Sequence, residues 1–370
     1  MAGLLAIACR PSGENLTQYV DTHIGTGGHG HVFVGANVPF GFVQLGPTSI
    51  PQSWDWCSGY HVTDSTVIGF SHTHLSGTGI GDLFDITVMP VVGEVTYGRG
   101  REEDPSTGMW SYADRSREVT RPGYYSVPLT RYGITAEMTA TNRVGLHRYT
   151  FPQSEEAGIV INLMNGGCWD RPMDAQIERV DPMTGQPDPN GQALRGYRYS
   201  RGWADDQKVY FYAEFSKPFK DFKVIRGDIQ IWQDEFKDMA AFAHAYFEAE
   251  PQEQIMMKVA LSPVSMERAY ANMKAELSGW DFEATAKAAD QAWNEELGKI
   301  KVEGKDNNLL ELIAADPTFN MTLEELQQTM DPTKYVGRSK EQVEAFLSNV
   351  IRPILEANKD LLGVTAEINV

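Results

Sequence analysis

Short runs of Val, Ile, Tyr, Phe and Thr, separated by turn-forming Gly, Pro, Asn and Asp, fill the chain from about residue 15 to residue 263. Residues 134–141 alternate apolar and polar side chains, which is the two-residue period of a half-buried strand. Further strands are predicted at 146–151, 209–215, 224–232, 240–247 and 255–261. Because no long helical pattern lies between these runs, the sequence predicts a mainly β fold with a large antiparallel β-sandwich.

Two amphipathic helices are predicted after the last strand. Ser265 and Asp281 are residue types that cap helix N-termini, and the first helix should run to about residue 277. The second helix repeats apolar residues at spacings of three and four on one face: Phe282, Ala286, Ala289, Trp293, Leu297 and Ile300. A helical pair after a sandwich is typical of a connection to another domain, so residues 264–305 are interpreted as a helical linker.

The last segment, residues 306–370, has a different character and predicts a small all-α tail. Thr322 with Glu325, and Ser339 with Gln342, fit the capping-box pattern. An apolar helical face follows the second box, in the order Val343, Phe346, Leu347, Val350, Ile351, Ile354 and Leu355. Pro353 lies inside this helix and should bend or weaken it.

Charge restricts the partners that the chain can bind. The formal net charge is −18 and the isoelectric point about 4.9. Such an acidic surface argues against nucleic acid and against anionic lipid, since both require basic groups. A neutral partner such as a sugar is compatible with it. Aromatic residues make up 11% of the chain, which suits stacking on sugar rings and suits a β-rich core equally well.

The N-terminus resembles the end of a bacterial lipoprotein signal. Residues 1–8 are short, apolar and rich in small residues, and Ala8 directly precedes Cys9. We therefore interpret residues 1–14 as a truncated leader, with Cys9 as the lipid acceptor and the only expected membrane contact. This predicts a periplasmic or surface lipoprotein.

The three cysteines give no disulfide framework, and Cys57 and Cys168 are expected to be buried.

Groups suited to chemistry concentrate near the N-terminus, where six of the eight histidines lie at or before residue 74. Residues 25–31 are too rich in glycine for a packed strand or helix, and glycine lets the backbone approach a ligand closely. Neither a Walker loop nor a dinucleotide fingerprint fits these residues. Residues 54–61 combine tryptophan, tyrosine and histidine with a carboxylate, as a site for sugar hydroxyls requires. Residues 72–78 place His72 and His74 two residues apart, so that both would point to one face of a strand.

Other chemistries for these residues are weaker. Two His-x-His pairs with a nearby Asp could hold zinc, but no Glu or Cys stands at the usual ligand spacing. No Gly-x-Ser-x-Gly elbow of a serine hydrolase occurs. Cys57 with His61 would need a helix to act as a thiol and its base, which Ser58 and Gly59 disfavour. Any single histidine could also simply form hydrogen bonds within the sandwich.

Several blocks in order resemble family 92 glycoside hydrolases, a family of calcium-dependent exo-α-mannosidases. The resemblance runs from about residue 15 to residue 304, and its clearest blocks are residues 24–31, 39–45, 57–61, 69–79, 122–125, 139–145 and 202–207. It implies an N-terminal β-sandwich of supersandwich type packed on an (α/α)₆ domain, acting on α-linked mannose with inversion. Inversion needs two carboxyl groups far enough apart to admit water.

The resemblance also implies where the functional groups lie. The acid, the base and the calcium ion belong to the helical domain, so we predict no catalytic residue and no calcium ligand in this chain. The N-terminal loops complete the sugar pocket, and the implied substrate-binding residues are Gly25, Thr26, His29, His31, Trp54, Asp55, Trp56, Cys57, Tyr60, His61, His72, His74 and Ser76. A mannose-containing glycan is the expected partner, and the helical domain the natural packing partner.

The sequence departs from the family after residue 304. Residues 308–370 resemble the C-terminus of adenylosuccinate lyase, most clearly at 312–317 and 331–338. We therefore expect a sugar-binding β-domain that is inactive alone, with an apolar face left exposed on the sandwich and on the helix after Asp281. The alternatives are a weak mannose-binding module, or a chimera whose tail docks on adenylosuccinate lyase.

Overall fold

A computed structural model describes residues 15–164, 170–232, 235–301, 322–325, 343–344 and 346–359. The chain divides into two compact units, Met1–Val302 and Glu303–Val370, which are described separately. The strands of the first unit, in chain order, are β1 (Gly46–Thr48), β2 (Thr66–Val67), β3 (Gly69–Ser71), β4 (Thr87–Val92), β5 (Arg99–Arg101), β6 (Asp104–Gly108), β7 (Ser111–Tyr112), β8 (Val119–Arg121), β9 (Tyr124–Leu129), β10 (Ile134–Ala140), β11 (Val144–Thr150), β12 (Ser154–Asn162), β13 (Arg171–Val180), β14 (Ala193–Arg201), β15 (Gln207–Phe215), β16 (Asp221–Trp232), β17 (Glu235–Ala249) and β18 (Gln254–Ser262).

Two large antiparallel sheets form the first unit. One has six strands in the order β1-β3-β4-β12-β17-β16, and the other has eight in the order β13-β14-β15-β18-β11-β10-β9-β8. The pairs β2-β7 and β5-β6 make two small ribbons. All six strands predicted between residues 134 and 261 are present, with ends that differ by a few residues.

The main core lies between the two large sheets. Fully buried side chains from the six-stranded sheet (Val88, Ile159) belong to one apolar cluster with side chains from the eight-stranded sheet (Val127, Phe211, Val259). In β10 the buried positions alternate at the strand's start, as the two-residue period predicts. The mainly β sandwich fold is therefore confirmed.

The two helices cover the outer face of the eight-stranded sheet. Helix α1 is Met266–Glu276 and begins at Ser265, whose side chain accepts a hydrogen bond from the Arg268 amide. Helix α2 is Phe282–Lys301, and the Asp281 side chain accepts from the Ala284 amide at 2.9 Å. Both helices contribute to a second apolar cluster with the sheet, whose members include Val144, Leu146, Tyr212, Ala260, Met273, Phe282 and Ala286.

This packing corrects one expectation. The apolar stripe of the second helix was predicted to be exposed, but Phe282, Ala286 and Ala289 are buried. Further along, Trp293 is partly covered, and its indole N–H donates to the Asn37 carbonyl at 2.7 Å. The reason is that the outer face of the eight-stranded sheet is itself apolar and the helix covers it.

In the second unit, the described residues include a helical segment around Pro353. A π-helical turn, Leu347–Ile351, leads into helix α3, Arg352–Ala357, which has proline in its first turn. A wider turn accommodates the ring and the missing N–H of proline, so the predicted disturbance of the helix takes this form. The predicted apolar face is exposed at Val343, Phe346 and Ile354.

Some sequence predictions lie outside the described residues, namely the Cys9 leader, Cys168 and the Ser339 box. The Thr322 box is present: Glu325 Oε2 accepts from the Thr322 amide at 2.8 Å, and Thr322 Oγ1 accepts from the Glu325 amide at 3.2 Å. Among the described helices, none has the length and apolar character needed to span a membrane.

Candidate functional site

Three loops converge beside β1 and β3, at the edge of the six-stranded sheet. They are residues 25–31 before β1, residues 54–61 after it, and residues 72–79 after β3. Backbone hydrogen bonds join them: the Val62 amide donates to the Thr26 carbonyl at 3.0 Å, and the Gly77 amide to the His31 carbonyl at 2.8 Å. Because β1 pairs directly with β3, loops that are distant in sequence form one continuous surface.

Glycines give the first loop its path. Gly25 has a φ of +83°, in the left-handed region that side chains disfavour. A Cβ on Gly30 would lie 2.1 Å from the Gly25 carbonyl oxygen, so only glycine fits there. The tight turn brings His29 and His31 to the same carboxylate on the second loop. His31 itself has a φ of +54°, an uncommon conformation for a residue with a side chain.

That carboxylate is Asp55. Its Oδ1 lies 2.6 Å from His29 Nδ1 and 3.5 Å from His31 Nε2. The hydrogen bond with His29 is the main reason that the pKa of Asp55 lies below its ordinary value. His29 is largely exposed, whereas His31 is buried.

Trp54 stands beside this cluster and is half exposed. Its ring packs edge-on against His31, with centroids 4.2 Å apart, and its indole N–H donates to the Gly79 carbonyl at 2.8 Å. The third loop therefore fixes the ring plane of a residue on the second loop. The result is an open aromatic face next to an imidazole and a carboxylate, which is the combination that a sugar ring with its hydroxyls requires.

Other predicted site residues lie just behind this surface. Trp56 stacks on His61 with ring centroids 4.5 Å apart, and its indole N–H donates to Asp64 at 2.7 Å. His74 is buried, stacks on Phe33 and has its Nδ1 2.8 Å from the Gln44 carbonyl oxygen. These contacts fix the loops in place.

The structure closes several predicted contact residues off from the surface. Thr26, Cys57, Tyr60 and His72 are buried, and the Cys57 thiol donates to the Thr78 carbonyl. Tyr60 donates from its hydroxyl to Glu118 at 3.0 Å. In this structure these four side chains present almost no surface to a ligand, and the hydrogen bonds of Cys57 and Tyr60 connect the loops to their surroundings. The sequence could not reveal this, because pattern alone does not separate a loop's inner side from its outer side.

His72 belongs to a buried chain of polar groups. Its Nδ1 lies 2.6 Å from the Ile86 carbonyl oxygen, and its Nε2 lies 2.9 Å from Nε2 of His147. The other ring nitrogen of His147 lies 2.7 Å from the Tyr149 hydroxyl. Burial lowers the pKa of His72 to about 4, so the ring is neutral near pH 7.

Two cavities flank the loops. The first, about 540 Å³, is mainly apolar and is lined by His74 and Ser76 together with Ile24, Phe33 and Trp293. The second, about 620 Å³, shares His74 with the first and adds Asp85, Gln207 and Lys208. Ser76 is exposed and lines the first cavity. Gly25 lies in the turn of the first loop.

Sequence reasoning missed the polar group at the base of the second cavity. Arg198 is fully buried and pairs with Asp85 at 2.7 Å and with Asp170 at 2.8 Å. Asp85 also accepts from Gln207 at 2.7 Å and from the Thr73 hydroxyl at 2.7 Å. Gln207 ends the block 202–207 that carries the family resemblance, which was the one available signal.

The calcium ion implied by the resemblance does not fit the described residues. Their only group of three or more possible metal ligands is His29, His31 and Asp55. Calcium prefers six to eight oxygen ligands, whereas this group offers two nitrogens and one carboxylate.

An antiparallel sandwich whose edge loops gather an open tryptophan, imidazoles and a carboxylate defines a β-domain of the glycosidase type. The model of the glycosyl hydrolase family 92 N-terminal domain matches residues 19–262. The chain therefore belongs to this family. A second family model, the adenylosuccinate lyase C-terminus, matches residues 283–346. That match begins within α2, upstream of residue 308 where the sequence resemblance was placed.

Solved structures support the same assignment. A family GH92 alpha-mannosidase from Bacteroides thetaiotaomicron, in complex with mannoimidazole, is 34% identical with a TM-score of 0.69, covering 77% of this chain and 37% of that chain. Another GH92 family glycosyl hydrolase is 25% identical with a TM-score of 0.62, covering 76% of this chain and 37% of that one.

Curated relatives match the two parts separately. A secreted glycosidase of Arthroderma benhamiae, itself uncharacterized, is 28% identical over 328 residues, which is 80% of this chain and 40% of the relative. Adenylosuccinate lyase of Schistosoma mansoni is 31% identical over 77 residues, or 21% of this chain and 16% of that protein. The chain thus spans well under half the length of each of these relatives.

Proposed function

We propose that this chain supplies one wall of a binding site for α-linked mannose. The surface formed by the three loops carries the proposal, because the half-exposed Trp54 ring stands next to His29 and Asp55. The apolar face of a pyranose would stack on the indole, and its hydroxyls would bond the imidazole and the carboxylate. The likeness to an alpha-mannosidase solved with mannoimidazole supports mannose as the sugar.

The contact residues in this proposal are the accessible ones: His29, Trp54, Asp55, Ser76 and the backbone at Gly25. His31, Trp56, His61 and His74 hold the loops from behind. The remaining predicted residues, Thr26, Cys57, Tyr60 and His72, support the loops from the interior.

We further propose that the chain alone binds without cleaving. Inversion requires an acid and a base, with the acid's pKa raised so that it holds a proton. The carboxylate that the three loops contribute is Asp55, and its hydrogen bond with His29 lowers its pKa. It is therefore suited to accept hydroxyl hydrogen bonds and unsuited to protonate a leaving group. Export from the cell is part of the proposal, since the Arthroderma benhamiae relative is a secreted glycosidase.

Tryptophan fluorescence with methyl α-mannoside and α-1,2-mannobiose tests the binding. We expect a saturable shift at millimolar sugar that Trp54→Ala abolishes. Tyr112→Ala is the matched control, because Tyr112 is also a partly exposed aromatic residue but lies outside the three loops. No saturable shift in the wild-type chain, or equal losses in both variants, would refute mannoside binding at this surface. Turnover of an aryl mannoside by the pure chain would refute binding without cleavage.

A further inference from the structure

His29, His31 and Asp55 approach one another as metal ligands do. Their possible ligand atoms all lie within 4.8 Å of one another. Atoms bound to one tetrahedral zinc ion at its usual bond lengths are separated by roughly 3.3 Å. The two separations from Asp55 Oδ1, 2.6 Å to His29 and 3.5 Å to His31, lie on either side of that value. Small side-chain rotations would therefore bring the three atoms around one ion.

The Nε2 atom of His31 is the second, independent observation. It is buried, and no hydrogen bond of ordinary length and angle joins it to a group in the described part of the chain. It points toward Asp55 Oδ1 but stays at 3.5 Å. Buried polar atoms in proteins nearly always have a partner, and an unsatisfied one calls for an explanation such as an ion.

The surroundings hold His31 in position. Its carbonyl accepts from the Gly77 amide at 2.8 Å, and its ring packs against Trp54 at 4.2 Å between centroids. The backbone keeps a φ of +54°, although the side chain makes this conformation unfavourable. Strained residues that their surroundings hold in place cluster at functional sites. One ligand is thus fixed before binding, while the exposed His29 is able to adjust.

We propose that His29, His31 and Asp55 bind a divalent transition-metal ion, with zinc as the best match. Two imidazoles and one carboxylate are the ligand types that zinc accepts, and three protein ligands leave one tetrahedral position for water. The sequence alone disfavoured zinc because no Glu or Cys stands at the usual ligand spacing from the His-x-His pairs. The turn of the first loop supplies a third ligand, because it brings the two histidines to Asp55 on the second loop.

Metal titration of the full 370-residue chain, stripped with a chelator and free of sugar, tests the site. We expect about one equivalent of Zn²⁺ to bind in calorimetry, and Co²⁺ to produce the visible absorption of a tetrahedral complex. Removal of one ligand in His29→Ala or Asp55→Asn should weaken Zn²⁺ binding by at least about tenfold. Both positions are accessible enough for the fold to tolerate these changes, which avoids relying on the buried His31.

His23→Ala is the matched control, since His23 also lies in the N-terminal region and is partly exposed. It should leave zinc affinity unchanged. The absence of saturable zinc binding, or an equal loss in His23→Ala, would overturn the proposal. Because the titration contains no sugar, saturable zinc binding with no mannoside response would support this site while refuting the proposed function, and the reverse result would do the opposite.

Discussion

At the scale of single residues, the buried charges beneath the second cavity depend most strongly on their partners. Arg198 has no exposed side-chain surface, and its guanidinium lies between Asp85 and Asp170. Burial raises the pKa of Asp170, and Arg198 opposes that rise. A buried charge without its partner is strongly unfavourable, so the group depends on all its members.

We expect Arg198→Met to lower the free energy of unfolding by about 3–5 kcal/mol, because two carboxylates lose their counter-charge inside the sandwich. Urea denaturation followed by fluorescence measures this. The matched control is Arg226→Met, which removes an exposed pair with Asp238 and should change stability by less than about 1 kcal/mol. Similar effects of the two changes would contradict a special role for the buried group.

The candidate site shows what residue patterns reveal and what they omit. The pattern predicted His29, His31, Trp54 and Asp55 as substrate-binding residues, and the structure places these four side chains next to one another. It did not show that Asp55 meets both histidines, because that contact depends on how the loops before and after β1 pack together and on the positive φ of His31.

At the scale of elements, strands with a clear alternation were predicted well. The prediction 134–141 corresponds to β10, Ile134–Ala140, because one of its faces is buried and the other is partly accessible. Shorter strands such as β1, Gly46–Thr48, were not predicted. All its positions are buried, so it has no alternation, and three residues with Gly and Pro resemble a turn.

Helix α2 offers a test of its packing on the sheet. A Cβ on Gly123 would lie 2.6 Å from the Ala289 Cβ, so the helix is in close contact with the turn between β8 and β9. We expect Ala289→Leu to lower the free energy of unfolding by about 1–3 kcal/mol through overpacking. Ala284→Leu, on the exposed face of the same helix, should have little effect because alanine and leucine are both good helix formers. Equal stabilities of the two variants by thermal denaturation would contradict this contact.

At the scale of the whole molecule, two unrelated family matches meet within one chain. The family 92 match ends at residue 262 and the lyase match begins at residue 283. Helix α2 lies within the second match, yet its first half completes the sandwich by burying Phe282 and Ala286. Periodicity predicted this apolar stripe correctly. It could not predict which surface covers the stripe. The spacing of apolar residues depends only on the geometry of the helix, whereas their burial depends on the sheet that packs against it.

The sandwich as a whole should be sensitive to mild acid because it buries neutral histidines. Burial lowers the pKa of His72, His74 and His244 from 6.5 to about 4. The unfolded chain protonates these groups near 6.5, so between pH 6.5 and 4 the unfolded state binds more protons than the folded state. Stability is therefore fully present above pH 6.5 and is lost as the pH falls toward 4.

Each of these histidines contributes a slope of up to about 1.4 kcal/mol per pH unit within that window. We expect urea midpoints measured from pH 8 to pH 5 to be level above about pH 7 and to fall steeply below it. His244→Gln should reduce the slope, because one titrating group is removed while an amide can still bond the Tyr97 hydroxyl, which lies 2.9 Å from His244 Nδ1. A midpoint that stays constant down to pH 5 would mean that the buried rings do not titrate with lowered pKa values.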